Sequence, residues 1–189
     1  MQPVSVSEIK AIADYEIERE TFRPLAMAVK DRRRIRVGDH LTFLFENRLT
    51  VRYQIQEMMR IERLTKIEEI KHEVETYNEL IPGENQLCAC LLIEYETPEL
   101  RSVWLTELLG LEYHIWIEVP GEGRAQATFD DRQIASDRIS SVQYLKFQLT
   151  PEQAARFPRG ASIVVDHPKY SFSQMLTEAQ LIELAADFQ

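Results

Sequence analysis

The chain has 189 residues, 44% apolar and 28% charged, the balance of an ordinary globular protein with room for one domain or two small lobes. Its formal net charge of −9 argues against nucleic acid or an anionic membrane as the main partner, because phosphate binding needs a positive field. Met1 to Ser7 lacks the basic start and apolar run of a signal peptide, and no stretch approaches the roughly 20 apolar residues of a membrane span.

In chain order, Ser5 and Glu8 have capping-box spacing, and periodic apolar residues follow through Ile17. Pro24 in TFRPLAMAVK predicts a break or kink before a short helix ending near Arg33. KDRRRIR, Lys30 to Arg36, reads as the cationic last turn of that helix, favoured by the macrodipole, rather than as an anion site. IRVGDHLTFLFEN is extended with a bend at Gly38. Phe43 and Phe45 share one face; His40, Thr42, Leu44 and Glu46 share the other. Asn47 is a good N-cap for a helix to about Leu64. Thr65 and Glu68 start a second helix to about Leu80, and IPGENQ, Ile81 to Gln86, is the clearest break in the chain.

The second half alternates. LCACLLIEY is a continuous apolar run, as in a central strand. Its cysteines, Cys88 and Cys90, share one strand face about 6.6 Å apart, poor geometry for a mutual disulfide. They read as small buried hydrophobes of a reducing compartment, so a cytoplasmic protein is expected. Thr97 and Pro98 open a helix that Gly110 closes. LEYHIWIEV, RAQATFD and SVQYLKFQL are strands, with a PGEGR turn after the first and a polar loop, DDRQIASDRIS, before the last. Thr150, Pro151 and Gln153 start another helix; ASIVVDH is a strand; Thr177 and Gln180 cap a final helix, EAQLIELAADF.

The fold expected is α+β. A mainly helical lobe over 1–81, with a short extended segment near 34–46, packs on the mainly antiparallel sheet of an α+β lobe over 86–189, the two forming one compact unit. The β-α-β, hairpin, β-α-β order resembles a split βαβ sandwich of ferredoxin-like type, although strand order is not legible from sequence.

The helix after Asn47 carries two apolar arcs at about 100° per residue. Val51, Ile55, Met58 and Met59 form one; Leu49, Tyr53, Ile61 and Leu64 form the other. A surface helix needs only one stripe, so this one is expected to pack on both sides. Glu62 projects inside the first arc and Glu57 at the edge of the second, so each needs an arginine, a metal or water. Arg60, three residues after Glu57, is close enough for a local pair. Glu46, Arg52, Gln56, Glu57, Arg60 and Glu62 thus form a candidate polar network, structural or functional.

A second candidate is VDHPKY, where Asp166, His167 and Tyr170 gather at a strand end and an aspartate can orient a histidine. The alternative is a turn whose polar side chains satisfy loop backbone. Glu69 and His72 have the Glu-x-x-His spacing of di-iron helices, but a second such motif is missing. His40 and Glu46 are about 20 Å apart on an unbent strand, too far to share an ion. His114 reads as a half-buried sheet histidine. No phosphate loop, nucleophile elbow, metalloprotease motif or zinc-type cysteine pairs occur. No cofactor and no metal are therefore expected.

HLTFLFENRLTVRYQIQEMMRIERL, followed by YNELIPGENQLCACLLIEYE and later VDHPKY, resembles an uncharacterised bacterial domain-of-unknown-function family, DUF3501, over nearly the whole chain. That resemblance brings no assigned activity or catalytic residues. It implies a redox or peroxide-stress context, with a rubrerythrin-like protein or an iron–sulfur oxidoreductase as partner. The leading reading is a non-catalytic accessory or protein-interaction module that binds its partner through the helical half. The alternative is a small-molecule-binding or metal-dependent enzyme using Glu57, Glu62, Arg60 and His167. RNA binding through Lys30 to Arg36 is disfavoured by the net acidity.

Overall fold

Successive side chains of a strand point to opposite faces of the sheet, and the inward set, from Ile35 of the first strand to Tyr170 of the last, closes on a single core. The structure, a computed structural model, describes residues 1–130, 133, 135 and 137–188; Asp131, Arg132, Ile134 and Ser136 of the expected polar loop lie outside the described residues. The strands are β1 (Arg34–Val37), β2 (Leu41–Glu46), β3 (Gln86–Ile93), β4 (Ile115–Val119), β5 (Gly123–Phe129), β6 (Val142–Gln148), β7 (Ser162–His167) and β8 (Tyr170–Met175). The α-helices among the described residues are α1 (Ile12–Arg32), α2 (Arg48–Glu62), α3 (Ile67–Asn78), α4 (Pro98–Glu107), α5 (Pro151–Arg156) and α6 (Glu178–Ala185).

Among the described residues all seven strand pairings are antiparallel, in the order β1-β2-β3-β6-β5-β4-β7-β8, and the sheet curls until its two edges meet as a near-barrel. Side chains stitch the seam. The Tyr170 hydroxyl donates to the Val37 carbonyl at 2.7 Å and accepts from the His40 amide at 3.0 Å. Gly38 makes the close approach possible: its φ is +64°, and a Cβ there would lie 2.8 Å from the Phe172 ring. Eight strands enclose just enough space for side chains to fill. Phe43, Phe45, Leu87, Leu91, Ile117, Leu145, Phe147 and Ile163 are among those that do.

This topology overturns the ferredoxin-like expectation. A split βαβ fold pairs strands in parallel across a helical crossover, whereas here every neighbour is antiparallel. The hairpin β1–β2, which precedes most of the helical residues, forms one end of the same sheet, and YSFSQM, not read as a strand, forms the other as β8.

Helices α1 to α3 cover the outer face of β2, β3 and β6. Asn47 caps α2 as expected, its carboxamide oxygen accepting from the Leu49 and Thr50 amides. The two arcs of α2 do pack on two sides. Val51, Ile55 and Met59 meet Val4, Val74 and Leu80, while Tyr53 and Leu49 meet Tyr15, Phe22 and Ala26 of α1. Leu64 joins the first cluster instead of the second, and Ile61 is exposed. Helix α1 runs through Pro24 without a break. The carbonyl that Pro24 leaves without a donor belongs to Glu20, an exposed residue, so water can serve it. No helix among the described residues is long and apolar enough to cross a membrane.

Candidate functional site

Helical and strand spacing together build one cleft. Met58 and Glu62 lie four apart on α2, and Glu73 and Tyr77 four apart on α3, so each pair projects from one helix face. Tyr144 and Lys146 alternate onto the outward face of β6, with Thr128 of β5 directly opposite Lys146 in register. Between these walls, and closed by Leu80 and Phe129, lies a cavity of about 650 Å³. Thr76, Glu79 and Asp130 complete its lining.

The cleft brings carboxylates and phenols together. Burial raises the Glu73 carboxyl, and the neighbouring charge of Glu62 raises it further, against a smaller opposing effect of His72. Burial likewise raises Tyr77, and pushes the Tyr144 phenol up to about 12, with smaller contributions from Cys90, Tyr77, Glu46 and Asp130. Among the described residues neither Glu62 nor Glu73 has a cation within salt-bridge range. Other carboxylates of the helical layer are paired, Glu18 with Arg52 and Lys10, Glu16 with Arg60, and Glu8 with Arg48. The cleft thus combines apolar surface from Met58, Leu80 and Phe129 with carboxylates, phenols and the ammonium of Lys146.

The other residues singled out in the sequence are dispersed. Glu57 lies in the α1–α2 seam, where Oε1 accepts from the Tyr15 hydroxyl at 2.8 Å and from Arg19 Nε at 2.7 Å. Burial works to raise its carboxyl, but Arg19 and Tyr15 outweigh it and hold it below the usual range. Arg60 reaches Glu16, not Glu57. Arg52 reaches Glu18 and lies over the Phe22 ring. Gln56 clips the backbone at Lys10, its carboxamide accepting from the amide and donating to the carbonyl. Glu46 is buried on the outer face of β2, and its Oε2 has no hydrogen-bond partner.

The VDHPKY residues also separate. His167 is 4% exposed; its Nδ1 accepts from the Lys169 amide, which places the proton on Nε2, where it donates to the Leu109 carbonyl. Both ring nitrogens hold loop backbone. Tyr170 closes the barrel seam. Asp166 points outward from β7 and gathers His114, just before β4, Trp116 of β4 and Arg124 of β5, at 3.0, 3.2 and 3.3 Å. Glu57, Arg60, Glu62 and His167 are thus not brought together around one point.

Of the residues predicted, only Glu62 lines the cleft. Glu73, Tyr77, Leu80, Phe129, Tyr144 and Lys146 were not singled out. The i, i+4 spacing of Glu73 and Tyr77 and the alternation in SVQYLKFQL mark faces, but nothing local tells that those faces oppose each other. Among the described residues no group of three His, Cys, Asp or Glu side chains could hold a metal ion.

None of the curated proteins is similar to the chain. A crystal structure of a protein of unknown function from Burkholderia pseudomallei K96243 is similar, with 29% identity, a TM-score of 0.93 and 100% of each chain covered. The profile of the family described as Protein of unknown function (DUF3501) matches residues 3–188, nearly the whole sequence, and the chain therefore belongs to the DUF3501 family.

Proposed function

We propose that the protein is a non-catalytic binding module whose cleft between α2–α3 and β5–β6 holds one small organic molecule. One observation carries this reading: a cavity of about 650 Å³ that combines Met58, Leu80, Phe129 and two tyrosines with a few acidic groups. Small-molecule sites occupy roughly 300–1,000 Å³ and share that mixture of apolar wall and sparse polar anchors. The enzyme alternative has less support, because its proposed residues occupy separate environments and His167 spends both nitrogens on backbone. On the same reading the accessory role involves another protein in a cytoplasmic setting. The family resemblance implies that the partner is a rubrerythrin-like protein or an iron–sulfur oxidoreductase.

Fragment screening by amide NMR on the intact chain tests the proposal. Hits should move the amides of Tyr77, Leu80, Phe129 and Tyr144 together, and Leu80→Trp, which fills the cavity, should abolish them. A screen whose hits all map elsewhere, or are indifferent to Leu80→Trp, overturns it.

A further inference from the structure

We infer that a second copy of this chain docks on α1, the two helices packing antiparallel through the face that turns away from α2. Helix α1 packs against α2, β2 and α6, with Tyr15, Phe22, Ala26 and Val29 turned inward. On its other side Ala13, Ile17, Thr21, Pro24 and Ala28 follow at intervals of three and four residues, which sets them on one face. All five are exposed, and Ile17 reaches 78%. Leu25, at one border of that face, is 54% exposed and edges a groove of about 560 Å³ whose lining includes Glu18, Thr21, Phe22 and Leu49. Single exposed apolar side chains are ordinary, whereas an apolar helix face beside a partly apolar groove is the pattern of an interface.

The occupant follows from self-complementarity. Copies related by a two-fold axis meet through the same patch, so whatever one presents the other must receive. With the axis between Glu20 and Thr21, Ile17 lies on the partner's Pro24 and Ala13 on the partner's Ala28. The same placement sets Leu25 over the partner's groove, near Glu18 and Thr21, and the partner's Leu25 over this one. The charges agree. On the opposite border Arg23 comes beside the partner's Glu20, and Glu20 beside the partner's Arg23. Both residues are exposed, and among the described residues neither joins an ion pair. A parallel pair would instead set Glu20 against its own copy, where like charges repel.

Light scattering and sedimentation of the intact chain test the inference. At a concentration on the order of 100 μM the mass should approach twice the 22.1 kDa of one chain. Ile17→Glu and Leu25→Glu, both at exposed positions, should each weaken self-association at least about tenfold while the amide spectrum stays that of the folded protein. Glu20→Arg and Arg23→Glu, each alone, set like charges together and should weaken it as well. An equimolar mixture of these two variants should recover a dimer, because every contact across the mixed pair then joins opposite charges. A chain that stays monomeric at that concentration overturns the inference, even if the α1 face binds a different protein. So does a dimer indifferent to both Ile17→Glu and Leu25→Glu, or a mixture of the charge variants that associates no better than either alone.

Discussion

Arg33 and Asp187 stand 154 residues apart in the chain and form an ion pair in the interior, 1% and 2% exposed. Arg33 also donates from Nε to the Phe45 carbonyl and from its NH2 group to the Glu46 carbonyl, so one guanidinium ties the end of α1, the end of β2 and the C-terminal turn. Asp187 is ionised at neutral pH beside Arg33, although burial pushes its carboxyl up to about 6.

Breaking this pair should be the costliest single polar change in the chain. Asp187→Ala leaves the buried guanidinium with only the more distant carboxylate of Glu183, at 3.4 Å, and is expected to cost about 3 kcal/mol in urea unfolding. Arg32→Gln, next door, loses an ion pair whose arginine side chain is 51% exposed, and should cost less than about 1 kcal/mol. The basic run therefore does not act as a unit. Equal effects of the two substitutions would contradict the structure.

Asp187 also sets a sign for pH dependence. Its folded value, about 6, lies above its ordinary 3.8, so between these the folded state binds more proton than the unfolded one. Its contribution is full below about 3.8 and is lost as pH rises to about 6. Unfolding free energies measured across that window should fall more steeply with pH in the wild type than in Asp187→Asn.

Glu57 and Glu62, five residues apart on α2, should behave oppositely. Glu57→Ala leaves the buried Tyr15 hydroxyl and Arg19 without their acceptor and should cost about 1–3 kcal/mol. Glu62 is exposed and faces Glu73, so Glu62→Ala should leave the unfolding free energy unchanged within about 0.5 kcal/mol, or raise it. The Glu57 carboxyl is held below its ordinary 4.5; its stabilisation is present above 4.5 and lost as pH falls through the folded value. Glu57→Gln should accordingly flatten the acid limb of a stability–pH curve.

The seam of the barrel offers a local test. Tyr170→Phe removes a donor from the Val37 carbonyl and an acceptor from the His40 amide, and should cost about 1–3 kcal/mol while accelerating exchange of the His40 amide. Gly38→Ala adds a positive-φ penalty and a clash with Phe172, and should destabilise by more than about 1 kcal/mol. Unchanged exchange at His40 in Tyr170→Phe would show that the seam is held by something else.

What the sequence determined by itself is local. The Asn47 cap, the strand over LCACLLIEY, the turn at Gly38 and the two packing sides of α2 follow from backbone preferences and from side-chain periods of 2 and 3.6, which act within a few residues. Tertiary structure decided which strands neighbour which, and with them the barrel: β3 takes β6 as its partner across the whole β4–β5 hairpin, and no residue of β3 encodes that choice alone. It also decided the role of each charged residue, because the worth of a charge depends on its surroundings. Arg33 and Arg32 are identical and adjacent, yet the end of α1 buries one against Asp187 and leaves the other half exposed. Glu62 meets Glu73, Tyr144 and Lys146 only because α2 and α3 lie over the outer face of β6, so the cleft exists as a site only once the chain is folded.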